Sequence, residues 1–124
     1  HQGDVSEVHD ELATGIATEV HHIFPKSQFP TIATYYENLI LLTSSQHRQK
    51  AHPKGNTQVV DKDYQLICLM AKSQTIETSL NEGDNFYRKE SFVGVINTGL
   101  TEHLDETLTF ADIRKFLVAK YLTF

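Results

Sequence analysis

The sequence predicts an α+β fold in which a small β-hairpin and a short helix precede a group of longer helices. Two short segments rich in apolar and β-branched residues lie within residues 16–42, whereas residues 58–124 carry apolar side chains at helical spacing. With 124 residues, of which 40% are hydrophobic, the chain can bury one modest core. We therefore expect a single domain over residues 1–124, with residues 16–54 forming a strand-strand-helix core and residues 58–124 as helical support.

The first strand is predicted over residues 16–24, which are largely apolar or β-branched and end at Pro25. Successive side chains of a strand point to opposite faces, so the neighbouring His21 and His22 should have different roles. Residues 38–42 form a second short apolar run. This run suits the buried partner strand of a hairpin.

A short helix is predicted directly after the hairpin. The hydroxyl side chains of residues 43–45 can cap its start, and it is expected to continue from Gln46 to Ala51 before Pro53 and Gly55 end it. His47 would then lie in the first turn and face the strands. The predicted order is therefore strand, long loop, strand and helix, with a histidine pair on the first strand and a third histidine on the helix.

Three more helices are expected in the rest of the chain. Val59–Ser73 is apolar on much of its circumference, and Asn85–Asn97 carries an apolar face that ends before Gly99, a typical helix stop. A last helix is expected to begin at Thr109, whose hydroxyl can form a variant capping box with Asp112. These helices are expected to support the core; alternatively, the last two could form a docking unit for a protein surface.

The polar residues of the first half suit the hydrolysis of a phosphodiester bond. Such a reaction needs a base that deprotonates water, a cation beside the leaving oxygen and donors for the nonbridging oxygens. A histidine can be neutral at working pH, and neutral imidazoles also bind divalent metal ions. The side chains of His21, His22, Asn38 and His47 lie within one 36-residue window of the sequence, residues 19–54. Together they predict a small metal-dependent nuclease site.

The window resembles the His-Asn-His (HNH) endonuclease motif of the ββα-metal nucleases. The segments that carry the resemblance are residues 19–25, Asn38-Leu39 and residues 46–48. The resemblance implies that His21 and His47 ligate one divalent ion (Mg²⁺, Mn²⁺, Ni²⁺ or Zn²⁺). It also implies that His22 is the general base and that Asn38 braces the loop and orients the base. The implied fold is a ββα-metal (HNH) core with appended C-terminal helices, and the implied products carry 5′-phosphate and 3′-hydroxyl ends.

The sequence departs from the family pattern in three ways. Many family members have a glycine pair between the strands, which is missing here, and Cys68 alone cannot form their zinc knuckle of two cysteine pairs. His52 follows His47 by five residues instead of four, which turns it about 140° away on a helix, so His52 is only a candidate further ligand. The candidate phosphate-binding residues are Arg48, Lys50, Lys54 and Lys26.

The net charge and its distribution along the chain bear on which partners are expected. A net charge of −5 repels a polyanion such as DNA at long range, although residues 19–54 carry four basic residues against two acidic ones. The flanking segments, residues 1–18 and residues 55–124, are both acidic. The resemblance implies DNA as the substrate and a cleavage module of a restriction or defence protein. Because of the charge, we expect another domain or a dimer mate to supply specificity and much of the affinity.

Two further expectations concern location and extent. The single cysteine fits a reducing cytoplasm, and no apolar stretch is long enough to suggest a membrane partner. The chain starts without Met or a signal-like segment, which favours a fragment of a longer protein. The sequence leaves two other functions open: a non-catalytic HNH-like module that binds metal or nucleic acid, and an RNase-type toxin.

Overall fold

The computed structural model describes residues 5–10, 12–13, 15–51 and 61–122, and it combines strands with helices as predicted. The strands and α-helices in these residues are β1 (Glu19–His22), β2 (Leu39–Leu42), α1 (Ser44–Gln46), α2 (Lys62–Asn81), α3 (Lys89–Leu100) and α4 (Phe110–Leu122). Short helical turns are Pro30–Ile32 and Tyr36–Asn38 between the strands, and a π-helical turn, His47–Ala51, that continues α1. None of the helices in the described ranges is both long and apolar enough to cross a membrane.

The two strands form an antiparallel hairpin. Glu19 lies opposite Leu42, and His22 lies opposite Leu39. The strand predicted over residues 16–24 is therefore too long, since a strand extends only as far as its partner can pair with it. The partner ends at Leu42 because the next residue caps a helix.

Thr43 starts α1 with a reciprocal cap. Its hydroxyl accepts a hydrogen bond from the backbone N–H of Gln46, and the Gln46 side chain accepts one from the backbone N–H of Thr43. The helix begins at Ser44, two residues before the predicted start, and its continuation reaches Ala51 as predicted. His47 lies directly after the capped turn and faces the hairpin.

The later helices are confirmed in number and order, but their ends differ from the predictions. Asp61 caps α2 through the backbone N–H of Tyr64, and α2 continues to Asn81 instead of ending at Ser73, because buried Ile76 extends its apolar face. The Thr109 hydroxyl accepts a hydrogen bond from the backbone N–H of Asp112, which confirms the predicted cap of α4.

The prediction that Gly99 stops α3 is wrong. The helix continues through Gly99 to Leu100, and Thr101 ends it in the left-handed conformation with φ 55°. Gly99 instead permits a close approach, because a Cβ at this position would collide with the ring of Phe24. The turn after β1 is thereby packed directly against the backbone of α3.

One apolar core joins the hairpin to the helices. Ile23, Ile40 and Leu42 come from the hairpin region and belong to the same buried cluster as Leu69 and Phe92 of the helices. The hairpin therefore packs against the helices through this core, and the packing fixes the direction of the strand that carries His21 and His22.

Candidate active site

β1 directs Glu19 and His21 to the face of the hairpin that α1 and the following turn cover. Residues two apart on a strand share a face, and His21 is 2% exposed. The ring of His21 meets the ring of His47 with a centroid separation of 5.1 Å and an interplanar angle of 61°. The structure thus brings together the two histidines that the sequence predicts as metal ligands.

The spacing of these two rings is compatible with a shared ion. An ion about 2.1 Å from a ring nitrogen lies about 3.2 Å from the ring centroid, so two imidazoles on one tetrahedral ion have centroids about 5 Å apart. Within residues 5–10, 12–13, 15–51 and 61–122, no group of three or more His, Cys, Asp or Glu side chains is placed to hold a metal. The two imidazoles of His21 and His47 are therefore the described side chains that could contact an ion here, and water or phosphate would have to complete such a site.

Glu19 orients the ring of His47. Its carboxylate Oε1 lies 3.0 Å from the Nδ1 of His47. Because a carboxylate only accepts, Nδ1 carries a proton, and in the neutral ring Nε2 then has the lone pair suited to ligation. Sequence reasoning did not assign this role to Glu19, although its position two residues before His21 on a strand was a signal for a shared face.

His22 points to the other face of the hairpin and is partly exposed. Its Nε2 lies 3.1 Å from the carbonyl oxygen of Ala33 in the loop between the strands. A carbonyl oxygen cannot donate, so Nε2 carries the proton and Nδ1 is the basic nitrogen. This arrangement gives His22 a defined tautomer.

Asn38 is fully buried and braces the loop. Its Oδ1 accepts a hydrogen bond from the backbone N–H of Phe24 at 2.9 Å, and its Nδ2 donates to the carbonyl oxygens of Phe24 at 3.1 Å and Ile32 at 3.3 Å. Ile32 directly precedes Ala33, the acceptor for His22. The side chain of Asn38 therefore helps to position the ring of His22 through the loop.

Gln46 anchors the start of α1 to the N-terminal segment. Its buried side chain donates to the carbonyl oxygen of Val8 at 2.8 Å and to the carboxylate of Asp10 at 2.9 Å. Thr43 adds a hydrogen bond of 2.7 Å to the carbonyl oxygen of Leu12. These contacts join positions more than 30 residues apart and hold the turn that carries His47. No local sequence pattern indicated these contacts.

The candidate phosphate-binding residues are only partly described. Lys26 is exposed in the turn after β1, and Arg48 is exposed next to His47, with its guanidinium 3.4 Å from the Ser44 hydroxyl. The side chain of Lys50 lies outside the described part of the chain, as do the candidate ligand His52 and the candidate phosphate contact Lys54.

Comparisons with known proteins give no relative. No protein-family model, no curated protein and no solved structure matches the chain.

Proposed function

We propose that the protein is a divalent-metal-dependent endonuclease that hydrolyses DNA phosphodiester bonds, with β1, β2 and α1 as a ββα-metal core of the HNH type. The observation that carries the proposal is the separation of 5.1 Å between the ring centroids of His21 and His47. His22, the next residue of β1, points to the other face of the hairpin, and its Nε2–H is bonded to a backbone carbonyl oxygen. Two imidazoles in contact suit a metal site, and a neighbouring imidazole with a basic nitrogen suits the activation of water.

His22 is the proposed general base. Its Nδ1 accepts a proton from the attacking water, while its Nε2–H stays bonded to the carbonyl oxygen of Ala33. That bond also stabilises the imidazolium formed by the proton transfer, because both ring nitrogens then donate. General base catalysis of this kind contributes about 10²- to 10⁴-fold to a rate.

His21 and His47 are the proposed ligands of a divalent ion, and Glu19 holds the ring of His47 in the ligating orientation. When bound, such an ion supplies positive charge that stabilises the leaving 3′ oxygen. A site with two neutral imidazoles and open positions accepts Mg²⁺, Mn²⁺, Ni²⁺ or Zn²⁺.

DNA is the proposed substrate, with Lys26 and Arg48 as exposed cations on the hairpin and helix that form the site. The net charge of −5 opposes tight binding by this chain alone. We therefore propose that a second domain or a dimer mate supplies the specificity, as in a restriction or defence protein.

The test is plasmid cleavage in Mg²⁺, Mn²⁺ or Ni²⁺ by the wild type and by His22→Ala, His47→Ala and Glu19→Gln, with the exposed His103→Ala as the matched control. We expect His22→Ala to lose at least about 100-fold in rate while calorimetry shows unchanged metal affinity. His47→Ala should lose metal binding, and Glu19→Gln should lose about 10- to 100-fold in metal affinity. Cleavage by His22→Ala at the rate of the control would overturn the assignment of the base.

The same assay, with single-stranded RNA offered beside the plasmid, separates the alternatives. The chemistry at phosphorus does not distinguish the sugar, so the substrate has to: an RNase-type toxin would cut the RNA and leave the plasmid intact. A non-catalytic module would bind metal through His21 and His47 without turnover on either substrate. The partly exposed, single-tautomer ring of His22 favours catalysis over such a module.

A further inference from the structure

The two outer edges of the hairpin differ in what covers them. On the outer edge of β2, the carbonyl oxygen of Leu41 accepts a hydrogen bond of 3.0 Å from the backbone N–H of Glu7. The backbone N–H of Leu41 donates to the carboxylate of Glu7, also at 3.0 Å. Val20 of β1 lies opposite Leu41, and opposite residues of an antiparallel pair either bond each other or both point their backbone groups outward. The N–H and C=O groups of Val20 therefore point away from β2.

The outer edge of β1 has no comparable cover in the part of the chain that the structure describes. None of the segments in residues 5–10, 12–13, 15–51 and 61–122 forms a backbone hydrogen bond to Val20 on that edge. The side chain of Val20 is 57% exposed. An edge strand of this kind presents backbone donors and acceptors to which a further strand can bind.

The segment before β1 continues the exposure pattern of the strand. Ile16 is 68% exposed and Thr18 is exposed, whereas Ala17 between them is buried. Alternation with a period of two is typical of a strand that packs with one face only. The exposed side chains of Ile16, Thr18 and Val20 are all β-branched, which favours strands, and they include neither the Lys nor the Pro that protects many edges. β2 is too short to pair with residues 16–18.

We propose that this edge pairs with the same edge of a second copy of the chain, so that residues 16–20 of both copies form an antiparallel pair about a twofold axis at Thr18. Thr18 then lies opposite Thr18 of the second copy, and Ile16 lies opposite Val20 of the second copy. Cross-strand pairs of β-branched residues and of two threonines stabilise a sheet. A twofold axis satisfies both edges at once, as in most small homo-oligomers.

Charge and burial select the axis at Thr18 over its neighbours. An axis at Glu19 would place the carboxylates of the two copies opposite each other, which is unfavourable. An axis at Val20 would place Ile16 opposite Phe24, which is buried in the core of its own chain. The axis at Thr18 avoids both arrangements and pairs exposed, uncharged side chains.

This pairing leaves the candidate active site accessible. His22 lies outside residues 16–20, and the contact between His21 and His47 lies on the other face of the hairpin from Val20. The dimer would supply a mate for the proposed nuclease, but its formation does not depend on nuclease activity.

The test is the molar mass of the whole chain in solution, measured by sedimentation without metal or DNA. Because the interface is small, we expect a dissociation constant of about 10 to 100 µM, with monomer at about 1 µM and dimer at about 1 mM. Val20→Lys should weaken dimerisation at least about tenfold, because it places an ammonium group opposite Ile16. The matched control is Val118→Lys, which changes another exposed valine, on α4, and should leave dimerisation unchanged.

Two complementary variants test the register. Ile16→Glu alone and Val20→Lys alone should each be monomeric. Their equimolar mixture should form a heterodimer, because the new carboxylate of one copy lies opposite the new ammonium group of the other.

Three results would overturn the proposal. The first is a wild type that is still monomeric at about 1 mM, which is also expected if the edge binds a strand of another protein. The second is equal weakening of the dimer by Val20→Lys and by Val118→Lys. The third is a mixture of Ile16→Glu and Val20→Lys that stays monomeric. Each result leaves the proposed nuclease function to its own assay.

Discussion

The hairpin-helix unit, residues 19–51, and the helical part, residues 62–122, differ in the share of apolar packing and of buried polar contacts that holds them together. In the helical part, the fully buried side chains of Leu69, Phe92 and Ile96 belong to the apolar core. In the hairpin-helix unit, the fully buried polar side chains of Asn38 and Gln46 bind backbone groups of other segments. The helical part also buries polar side chains, such as Gln65, which donates to the carbonyl oxygen of Ile23, but it supplies more of the apolar core than the hairpin-helix unit does.

The difference follows from the lengths of the elements. The strands of the hairpin have four residues each and α1 has three, so they expose little apolar surface to a core, whereas α2 has 20 residues. Hydrogen bonds also fix direction, which apolar contacts do not. The proposed site depends on the orientation of imidazole rings and would benefit from such bonds, because small displacements would change how these rings meet an ion or water.

The largest effect is expected where the two regions are joined by a buried ion pair. Glu7 accepts hydrogen bonds from Lys72 at 3.1 and 3.2 Å and from the backbone N–H of Leu41 at 3.0 Å. Burial lowers the pKa of Lys72, and the charge of Glu7 opposes that shift. Glu7→Ala should reduce the free energy of unfolding by about 3 to 5 kcal/mol in urea denaturation, because the charge of Lys72 stays buried without its carboxylate.

A matched variant sharpens this prediction. Glu7→Ala combined with Lys72→Met should recover most of the loss, since no buried charge then remains at this position. A loss below about 1 kcal/mol in Glu7→Ala alone would show that the ion pair does not join the regions.

The next largest effect comes from a pair of variants that should distinguish the two regions by their contribution to cleavage. Asn38→Leu removes three hydrogen bonds to the loop and should cost about 3 kcal/mol, similar to Leu69→Ala in the helical core. Cleavage measured well below both melting temperatures should fall in Asn38→Leu, because His22 loses its fixed acceptor, and should persist in Leu69→Ala. Equal cleavage by the two variants would contradict the positioning role of Asn38.

The smallest effect concerns alkaline pH and belongs to the helical part. Burial of Cys68 raises the pKa of its thiol above the ordinary value of 9.0, with a smaller contribution from the charges of Glu7 and Asp10. A raised pKa in the folded state gives stability that is complete below pH 9 and is lost as the pH rises further. Between about pH 8 and about pH 10 the wild type should lose about 1.4 kcal/mol more than Cys68→Ala.

Other titrating groups do not obscure this comparison. Burial also raises the pKa of Tyr87 and of Tyr121 above 10.0, so they act in the same direction at higher pH. Lys72, with its lowered pKa, favours the folded state as the pH rises towards 10.5. All three are present in both proteins, so the difference in urea midpoints isolates Cys68. If the urea midpoints of the two proteins changed in parallel with pH, the role of Cys68 would be refuted.

Local patterns predicted the parts of the fold that neighbouring residues determine. The hairpin order, the capped turn that carries His47 and the cap of α4 at Thr109 all follow from residues close in the sequence. The face shared by His21 and His47 followed from strand alternation and helix position. These features place the two predicted ligands together.

Other features depend on distant partners and had no local signal. The end of β1 is set by the length of β2, and the need for Gly99 arises only because the ring of Phe24 packs against it. The contacts of Gln46 with residues 8 and 10, and of Glu7 with Lys72, link segments far apart in the chain. A sequence pattern can indicate that such polar residues are unusual inside a core, but not which partner each one meets.

The acceptor that fixes the proton on His22 is a main-chain oxygen, that of Ala33. Every amino acid carries this atom, but the side chain of Ala33 is buried, so only another small residue fits at position 33 without moving the backbone. Exchange of Ala33 for another small residue should therefore leave the contact with His22 intact, whereas a change of loop length between the strands should not. The contact thus depends on the conformation of the loop between the strands, which no single residue of the sequence determines.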